Sequence, residues 1–373
     1  MTTIYKNPTA AHAAHSYDLM RKIVFVGVSP DSRGGIAAVL KCYQQYMHPF
    51  QMAESARDSS KLLKLATFFA AFFKLLFFRI KGGKIVHIHG ASYTSFKRKK
   101  LLMSYSRFLG YKVIYHLHGA EFKKFAEVYG AEKIHKTLSK YHAIIVLSRS
   151  WQKFFAEELH IPATYIVNNI VPQPDLPEKK SAADLLNLTF LGIIDERKGI
   201  FDLLTVLNAN KDFYQDKICL TVCGNGEASK LQKFIAEHKL QNMVKYSGWI
   251  SGKAKEQLLQ STDILLLPSY DECMPVSVLE AMSYGVPVIT TPVGGIPEII
   301  QNEHNGLLVT PGNHAELDQA LKKLISNAEL RQKMSANNLV DIQEFFPEKV
   351  IQQLQTFYEQ ILSDTCSKSE YGA

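Results

Sequence analysis

The sequence is poor in the features that hold secreted or membrane-spanning chains together. Its 373 residues contain five cysteines, Cys42, Cys219, Cys223, Cys273 and Cys366, an odd number with no C-x-x-C pair. That argues against a disulfide framework and fits a reducing cytoplasm. No run of ~18 uncharged apolar residues occurs, so no spanning helix is expected. The first apolar run, residues 23–28, is too short for a secretory leader. Short repeats and low-complexity tracts are absent. Acidic residues are missing from one long stretch: residues 59–120 hold none, against twelve Lys and Arg. Residues 1–175 carry 25 basic and 10 acidic groups, residues 176–373 carry 18 and 25, and the formal net charge is +8. Two halves of opposite sign argue against one uniform nucleic-acid binder and point to two jobs on two domains.

What is present is a globular chain, 46% hydrophobic and 21% charged, of a length that suits two or three domains. Residues 22–28 form a short β-branched run that reads as a buried strand. A loop with Gly34-Gly35 follows, and then a helical stretch from Ile36 to Met47. Further buried strands are expected at 84–89, 112–118 and 143–147, with helical segments between them, which is the signature of a doubly wound parallel sheet. Three prolines, Pro172, Pro174 and Pro177, and then a charged stretch mark a linker at 173–186. A second alternating series has strands at 188–192, 218–223, 244–247, 264–267, 286–290 and 306–309. The fold class is therefore α/β, with two Rossmann-like domains, 1–172 and 187–349, expected to face each other across a cleft. A last helix over 350–365 is expected to pack back on the first domain. Ligands of such sheets sit at the carboxyl ends of strands.

The strongest chemical signal is residues 269–282, Ser-Tyr-Asp-Glu-Cys-Met-Pro-Val-Ser-Val-Leu-Glu-Ala-Met, directly after the strand at 264–267. Pro275 suits the first position of a helix, where its missing N–H costs nothing, and Gly285 suits the end of that helix. The free amides near Val276 and Ser277, with the helix dipole, make a phosphate site. Glu272 precedes the helix and Glu280 lies ~7–8 Å along it. Two carboxylates pointed at a phosphate would repel it. They fit if they accept hydrogen bonds from hydroxyls on either side, a sugar at one end and a ribose at the other. On spacing alone, two solvated glutamates on a surface helix fit equally.

Residues 272–298 combine Glu-x7-Glu with Gly-Val-Pro-Val-Ile and Gly-Gly-Ile-Pro-Glu, a pattern that resembles the C-terminal signature of retaining GT-B glycosyltransferases, family 4. Gly34-Gly35, His118-Gly119, Lys198-Gly199, Gly224-Asn-Gly-Glu227 and the Asn305-Gly-Leu-Leu run resemble the family's other motifs, so the likeness spans about residues 22–345. It implies that Glu272 binds donor-sugar hydroxyls, Glu280 the ribose, and Lys198 the diphosphate. Met274, Pro275 and Val276 would line the donor site, and His118 would face the sugar near the reacting carbon. Gly35 would let phosphate or acceptor approach the backbone; as a bare Gly pair it reads equally as a tight turn. One departure stands out. The family places Arg directly after the strand-end glycine, and here the order is Gly192-Ile193; Arg197, beside Lys198, is expected to substitute as a donor-binding cation.

Two His-x-His pairs, His87/His89 and His116/His118, lie on expected strands, each pair on one face. No Asp, Glu or Cys lies beside either pair, and no metal is expected. Cys273 falls inside the motif loop, where it is a candidate reactive thiol. Gly224-x-Gly226 lacks the third glycine of a dinucleotide fingerprint, since position 229 is Ser, so no NAD site is expected.

The Phe-rich stretch 61–81 and the cluster Lys97 to Lys100 lie in the acid-free region. They read as a buried helix plus a solvated loop, or as a surface that meets anionic lipid. Nucleic acid ranks lower, because no RNP, zinc or helix-turn-helix pattern accompanies the charge. The resemblance implies a cytoplasmic enzyme at the inner membrane face, moving a hexosyl group from a UDP- or GDP-linked sugar to a lipid-linked glycan acceptor of a surface polysaccharide pathway, with the nucleotide sugar as substrate and no resident cofactor or metal. The alternatives on the same scaffold are a phosphorylase, an epimerase, or a catalytically weak nucleotide-sugar-binding protein.

Overall fold

The computed structural model describes residues 10–175 and 185–363. They fall into two compact units, one from the chain up to Ile170 together with the stretch from Pro347 onward, the other Val171–Phe346. Most of the linker expected at 173–186 lies outside the described residues, as does Cys366.

The first unit is a six-stranded parallel sheet: β1 (Ile23–Val28), β2 (Met52–Ala56), β3 (Ile85–Gly90), β4 (Lys112–Leu117), β5 (Ala143–Val146) and β6 (Thr164–Ile166), in the order β2-β1-β3-β4-β5-β6. β1, β3, β4 and β5 are apolar runs buried on both faces, as central strands of a doubly wound sheet must be. β2 and β6 are edge strands that the apolar-run criterion passes over. β2 reads Met-Ala-Glu-Ser-Ala and buries only alternate residues, while β6 has three residues. The last helix, Pro347–Leu362, buries Val350, Leu354, Phe357, Tyr358 and Ile361 at three- and four-residue spacing. It packs in this first unit, with the Phe357 ring 4.7 Å from that of Tyr165.

The helix Tyr93–Phe108 corrects the reading of Lys97 to Lys100 as a solvated cluster. Lys99 lies on the inward stripe of Phe96, Met103 and Ser106 and is fully buried, with its ammonium on the Ser95 hydroxyl at 3.1 Å. Burial and the neighbouring Arg98 lower its pKa to about 7. Lys97 is exposed, while Arg98 and Lys100 are half-buried.

The second unit has β7 (Leu186–Leu191), β8 (Ile218–Cys223), β9 (Val244–Gly248), β10 (Ile264–Leu267), β11 (Val288–Thr290) and β12 (Gly306–Leu308), all parallel, in the order β12-β11-β10-β7-β8-β9. The chain winds outward from β7 through β8 to β9, then returns to β10 on the other side of β7 and winds the opposite way. β7 and β10 therefore flank the topological switch point, where loops diverge and leave a crevice at the strand ends.

Candidate active site

Both loops at that switch point carry motif residues. β10, Ile-Leu-Leu-Leu, is wholly buried, and its backbone is extended by side-chain bonds from the end of β11 and the residue after it: Thr290 Oγ1 donates to the Leu267 carbonyl at 2.8 Å and Thr291 Oγ1 to the Ser269 carbonyl at 2.5 Å. The loop 269–275 then rests on Gly294-Gly295. The Gly295 amide donates to the Cys273 carbonyl at 2.7 Å. Gly294 has φ +57°, and a Cβ there would lie 1.8 Å from the Glu272 carbonyl oxygen. Only glycine fits. Gly294→Ala is expected to displace the loop, costing about 1–3 kcal/mol through strain and weakening donor binding; a thermal melt and a donor KM check both.

The loop after β7 approaches from the other side. The Asp195 carboxylate caps a single 3-10 turn, Glu196–Lys198, by accepting from the Lys198 amide at 2.9 Å. Gly199 closes that turn at φ +70°, and a Cβ there would meet the Pro268 carbonyl at 2.0 Å. This contact presses Lys198 against the end of β10. Its ammonium is ion-paired with Glu272 Oε1, which also accepts from Ser269 Oγ at 2.8 Å. Both partners are nearly buried, with side-chain exposures of 13% for Lys198 and 5% for Glu272. Glu272 is thus no solvated surface carboxylate.

The helix predicted from Pro275 to Tyr284 runs Val276–Ser283, with Pro275 at the N-cap and Gly285 just past the end at φ +64°. No side chain caps it, so its first amides keep their donors for a ligand. Met274 and Pro275 are buried beneath that end, and Val276 is half-exposed. Glu280 lies one to two turns in and pairs with Lys255 at 2.5 Å. Lys255 carries no sequence signal, because it stands 25 residues away on another helix. Ser269 was legible as part of the motif but not as the partner of Glu272.

Arg197 is committed to the protein. Its Nη1 donates to the Asp271 carbonyl at 3.1 Å, and its Nη2 lies 3.6 Å from the Asp195 carboxylate. It braces the Glu272 loop, while Ile193, where the family resemblance expects a cation, is 44% exposed. Cys273 is 3% exposed, and burial beside Glu272 and Asp271 raises its thiol pKa well above the usual value. It is an inert core thiol, which corrects its reading as a reactive one.

In the first unit Gly35 opens the helix Gly35–Tyr46, but the left-handed backbone belongs to Gly34, at φ +113°. His118 follows β4. The register pairs His89 with His116, so the two His-x-His pairs stand side by side on one face. His118 Nε2 lies 2.8 Å from His89 Nδ1, His87 Nε2 3.1 Å from His116 Nδ1, and His87 Nδ1 2.5 Å from the Tyr358 hydroxyl. Burial is the main cause that depresses all four pKa values, to about 3 for His87 and His118. They are neutral at physiological pH. Ring nitrogens of His87, His89 and His116 lie within 4.8 Å of one another. However, both nitrogens of His87 are already bonded, and its ring stacks on those of His89 and His116 at 16° and 21°. The four rings form a hydrogen-bonded ladder in which the buried Nε2 atoms of His89 and His116 have no hydrogen-bond partner among the described residues.

Residues 172–339 match the family model described as glycosyl transferases group 1. An uncharacterized glycosyltransferase of Methanocaldococcus jannaschii is 28% identical over 158 residues, 42% of this chain and 40% of the relative. An N,N'-diacetylbacillosaminyl-diphospho-undecaprenol alpha-1,3-N-acetylgalactosaminyltransferase of Campylobacter jejuni is 31% identical over 108 residues, 29% of each chain. The chain thus spans well under half the length of these two curated relatives. Among solved structures, HepE of Anabaena in complex with UDP and glucose has a TM-score of 0.71 at 16% identity, over 92% of this chain and 99% of that one. The likeness extends to both parallel sheets, the two-sheet GT-B architecture. Lys198, Glu272 and Glu280 all lie within the residues 172–339 that match the glycosyl transferases group 1 model.

Proposed function

We propose that this protein is a retaining glycosyltransferase that moves a hexosyl group from a UDP- or GDP-linked sugar to a lipid-linked glycan acceptor in surface polysaccharide synthesis. The observation that carries the reading is the buried Lys198–Glu272 pair beside an uncapped helix N-terminus at the switch point of the second sheet. An ammonium and free amides together suit a diphosphate, and the carboxylate beside them suits sugar hydroxyls. The UDP and glucose bound in the HepE complex, and the diphospho-undecaprenol in the name of the Campylobacter relative, support the substrate classes.

In this reading Glu272 exchanges Lys198 for hydroxyls of the sugar, and Lys198 turns to the diphosphate. As the bond from the sugar to the diphosphate breaks, negative charge grows on the leaving phosphate, and Lys198 with the Val276 and Ser277 amides stabilises it. The leaving phosphate helps to take the acceptor proton on the same face, so configuration is retained. Glu280 holds the ribose. Met274, Pro275 and Val276 form the wall, and Arg197 keeps the Glu272 loop in place. No metal or other cofactor is required. Roles for His118 and Gly35 in meeting the sugar and its phosphate rest on the family resemblance. The acid-free stretch 59–120 of the first unit is assigned to an anionic membrane surface at the cytoplasmic face; among the described residues no helix is long and apolar enough to cross a membrane.

The exposed Ile193 favours one rival, a protein that binds a nucleotide sugar and turns it over weakly or not at all. Radiolabelled nucleotide sugars offered with membranes bearing lipid-linked acceptors separate the two. Label in the lipid fraction supports transfer. Saturable donor binding without any labelled lipid supports the rival.

A further inference from the structure

The helix Lys61–Ile80 is apolar on two opposite faces. One face is spent inside the first unit: Ala71 and Leu75 are fully buried, the Phe72 ring lies 4.9 Å from Tyr105, and the Tyr111 hydroxyl donates to the Leu75 carbonyl at 2.6 Å. The other face carries Leu62, Leu65, Phe69, Phe73, Phe77 and Ile80, at three- and four-residue spacing along ~30 Å of helix. These six are 54–82% exposed, Leu62 most of all. A stripe of that length exceeds what a monomer ordinarily leaves to water. Exposed Lys61, Lys64, Lys74 and Lys81 lie along the same helix and its end, the Lys81 ammonium 4.2 Å over the Phe77 ring. Arg79 Nε donates to the Leu109 carbonyl at 2.8 Å, which ties the end of this helix to the corner where Phe108 is 85% exposed. Arg107 and Lys140 line a shallow recess beside that ring.

We propose that the helix Lys61–Ile80 is an in-plane membrane anchor whose Phe- and Leu-rich outer face embeds in the acyl–headgroup boundary of an anionic bilayer while its lysines hold the lipid phosphates. The proposal rests on the membrane assignment above and deepens it from contact by charge to insertion. Charge selects the bilayer over a second copy of the chain. Residues 59–120 contain no acid, so two such helices brought together would set lysine against lysine with no carboxylate from that stretch between them. Anionic lipid supplies that neutralisation, and a helix with a strongly apolar outer face and flanking lysines has the character of an interfacial element.

The test uses the full chain, vesicles of phosphatidylglycerol with phosphatidylethanolamine, and vesicles of phosphatidylcholine, all free of glycan acceptor. Phe73→Trp places a reporter at a 75% exposed site. Its emission is expected to shift to the blue on phosphatidylglycerol vesicles and to be quenched by lipids brominated on the acyl chain. The triple variant Phe69→Ser/Phe73→Ser/Phe77→Ser is expected to lower vesicle partitioning by about tenfold or more, and Lys61→Gln/Lys64→Gln/Lys74→Gln to lower it on phosphatidylglycerol only. An unshifted and unquenched Trp on vesicle-bound protein overturns insertion. So does a wild-type dimer in sedimentation that the triple Ser variant converts to monomer, which puts a second copy on the stripe. The glycosyl-transfer reading fails separately: vesicle binding as described with no transfer from any donor leaves the anchor standing. Transfer to a detergent-solubilised acceptor without vesicle binding removes the anchor alone.

Discussion

Lys198→Ala is expected to lower kcat/KM by about 10²–10³-fold, the usual cost of removing one group that meets transition-state charge, and to destabilise the second unit at the same time. Lys198 and Glu272 are buried together, so removing the lysine leaves Glu272, among the described residues, with the Ser269 hydroxyl as its side-chain donor. Breaking such a pair from one side costs about 3–5 kcal/mol. The two effects can be separated. Lys198→Met/Glu272→Leu fills the same space without charge and is expected to recover most of the lost stability, because a buried pair is often worth no more than apolar packing. Turnover stays lost in the double variant, since neither the phosphate cation nor the hydroxyl acceptor returns. Urea unfolding paired with initial rates reads both. If the double variant recovers activity along with stability, the pair is structural and the site lies elsewhere.

The first unit is expected to lose stability steeply in acid. His87, His89 and His116 are fully buried, and burial depresses the pKa of each from 6.5, to about 3 for His87. Above pH 6.5 these histidines are neutral whether the chain is folded or not, and pH has no hold on them. Below it the unfolded chain takes up protons that the core refuses, so stability falls between pH 6.5 and about 3. The slope is about 1.4 kcal/mol per pH unit for each histidine. Three of them would exhaust an ordinary domain stability of about 5–15 kcal/mol within a few units. Trp151 in the first unit is 1% exposed and Trp249 lies in the second, so single-Trp variants follow each unit alone. A Trp151 midpoint that drops with pH while the Trp249 midpoint holds is the expected result. His116→Gln is expected to flatten the slope by about one proton. A Trp151 profile unchanged from pH 7 to 4 contradicts the ladder of neutral rings.

The sequence disclosed the parts of this molecule that are written in local pattern. Ile-Leu-Leu-Leu before the motif loop and Ile-Val-Phe-Val near the start can only be buried strands, and the strands between them in the sheets mostly read the same way, β9 with its Val-Lys-Tyr-Ser-Gly being an exception. β2, with Glu and Ser in its five residues, and the three-residue β6 are held at sheet edges by their neighbours, so nothing local marks them. Phe96, Lys99, Met103 and Ser106 share one helical face at three- and four-residue spacing, so the buried place of Lys99 is written in the sequence even though its charge argues for solvent. Glu272, Glu280 and the Val276 and Ser277 amides stood out in the 269–282 motif itself, and the roles of Lys198, His118 and Gly35 came from the family resemblance. Their partners did not, because Lys198 meets Glu272 across 74 positions and Lys255 meets Glu280 across 25. Likewise, alternation places each His-x-His pair on one face, but only the β3–β4 register brings the pairs together.

The central claim is that the second unit grips a nucleotide sugar by its diphosphate, with a carboxylate on the polyol at each end. The most direct test is a crystal structure of the chain with an intact, non-hydrolysable nucleotide sugar. The account predicts Glu272 released from Lys198 and within hydrogen-bond distance of sugar hydroxyls, the ribose at Glu280, and the diphosphate on the Lys198 ammonium and the Val276 amide. A bound donor that leaves the Lys198–Glu272 pair intact and its diphosphate away from that helix end would contradict it.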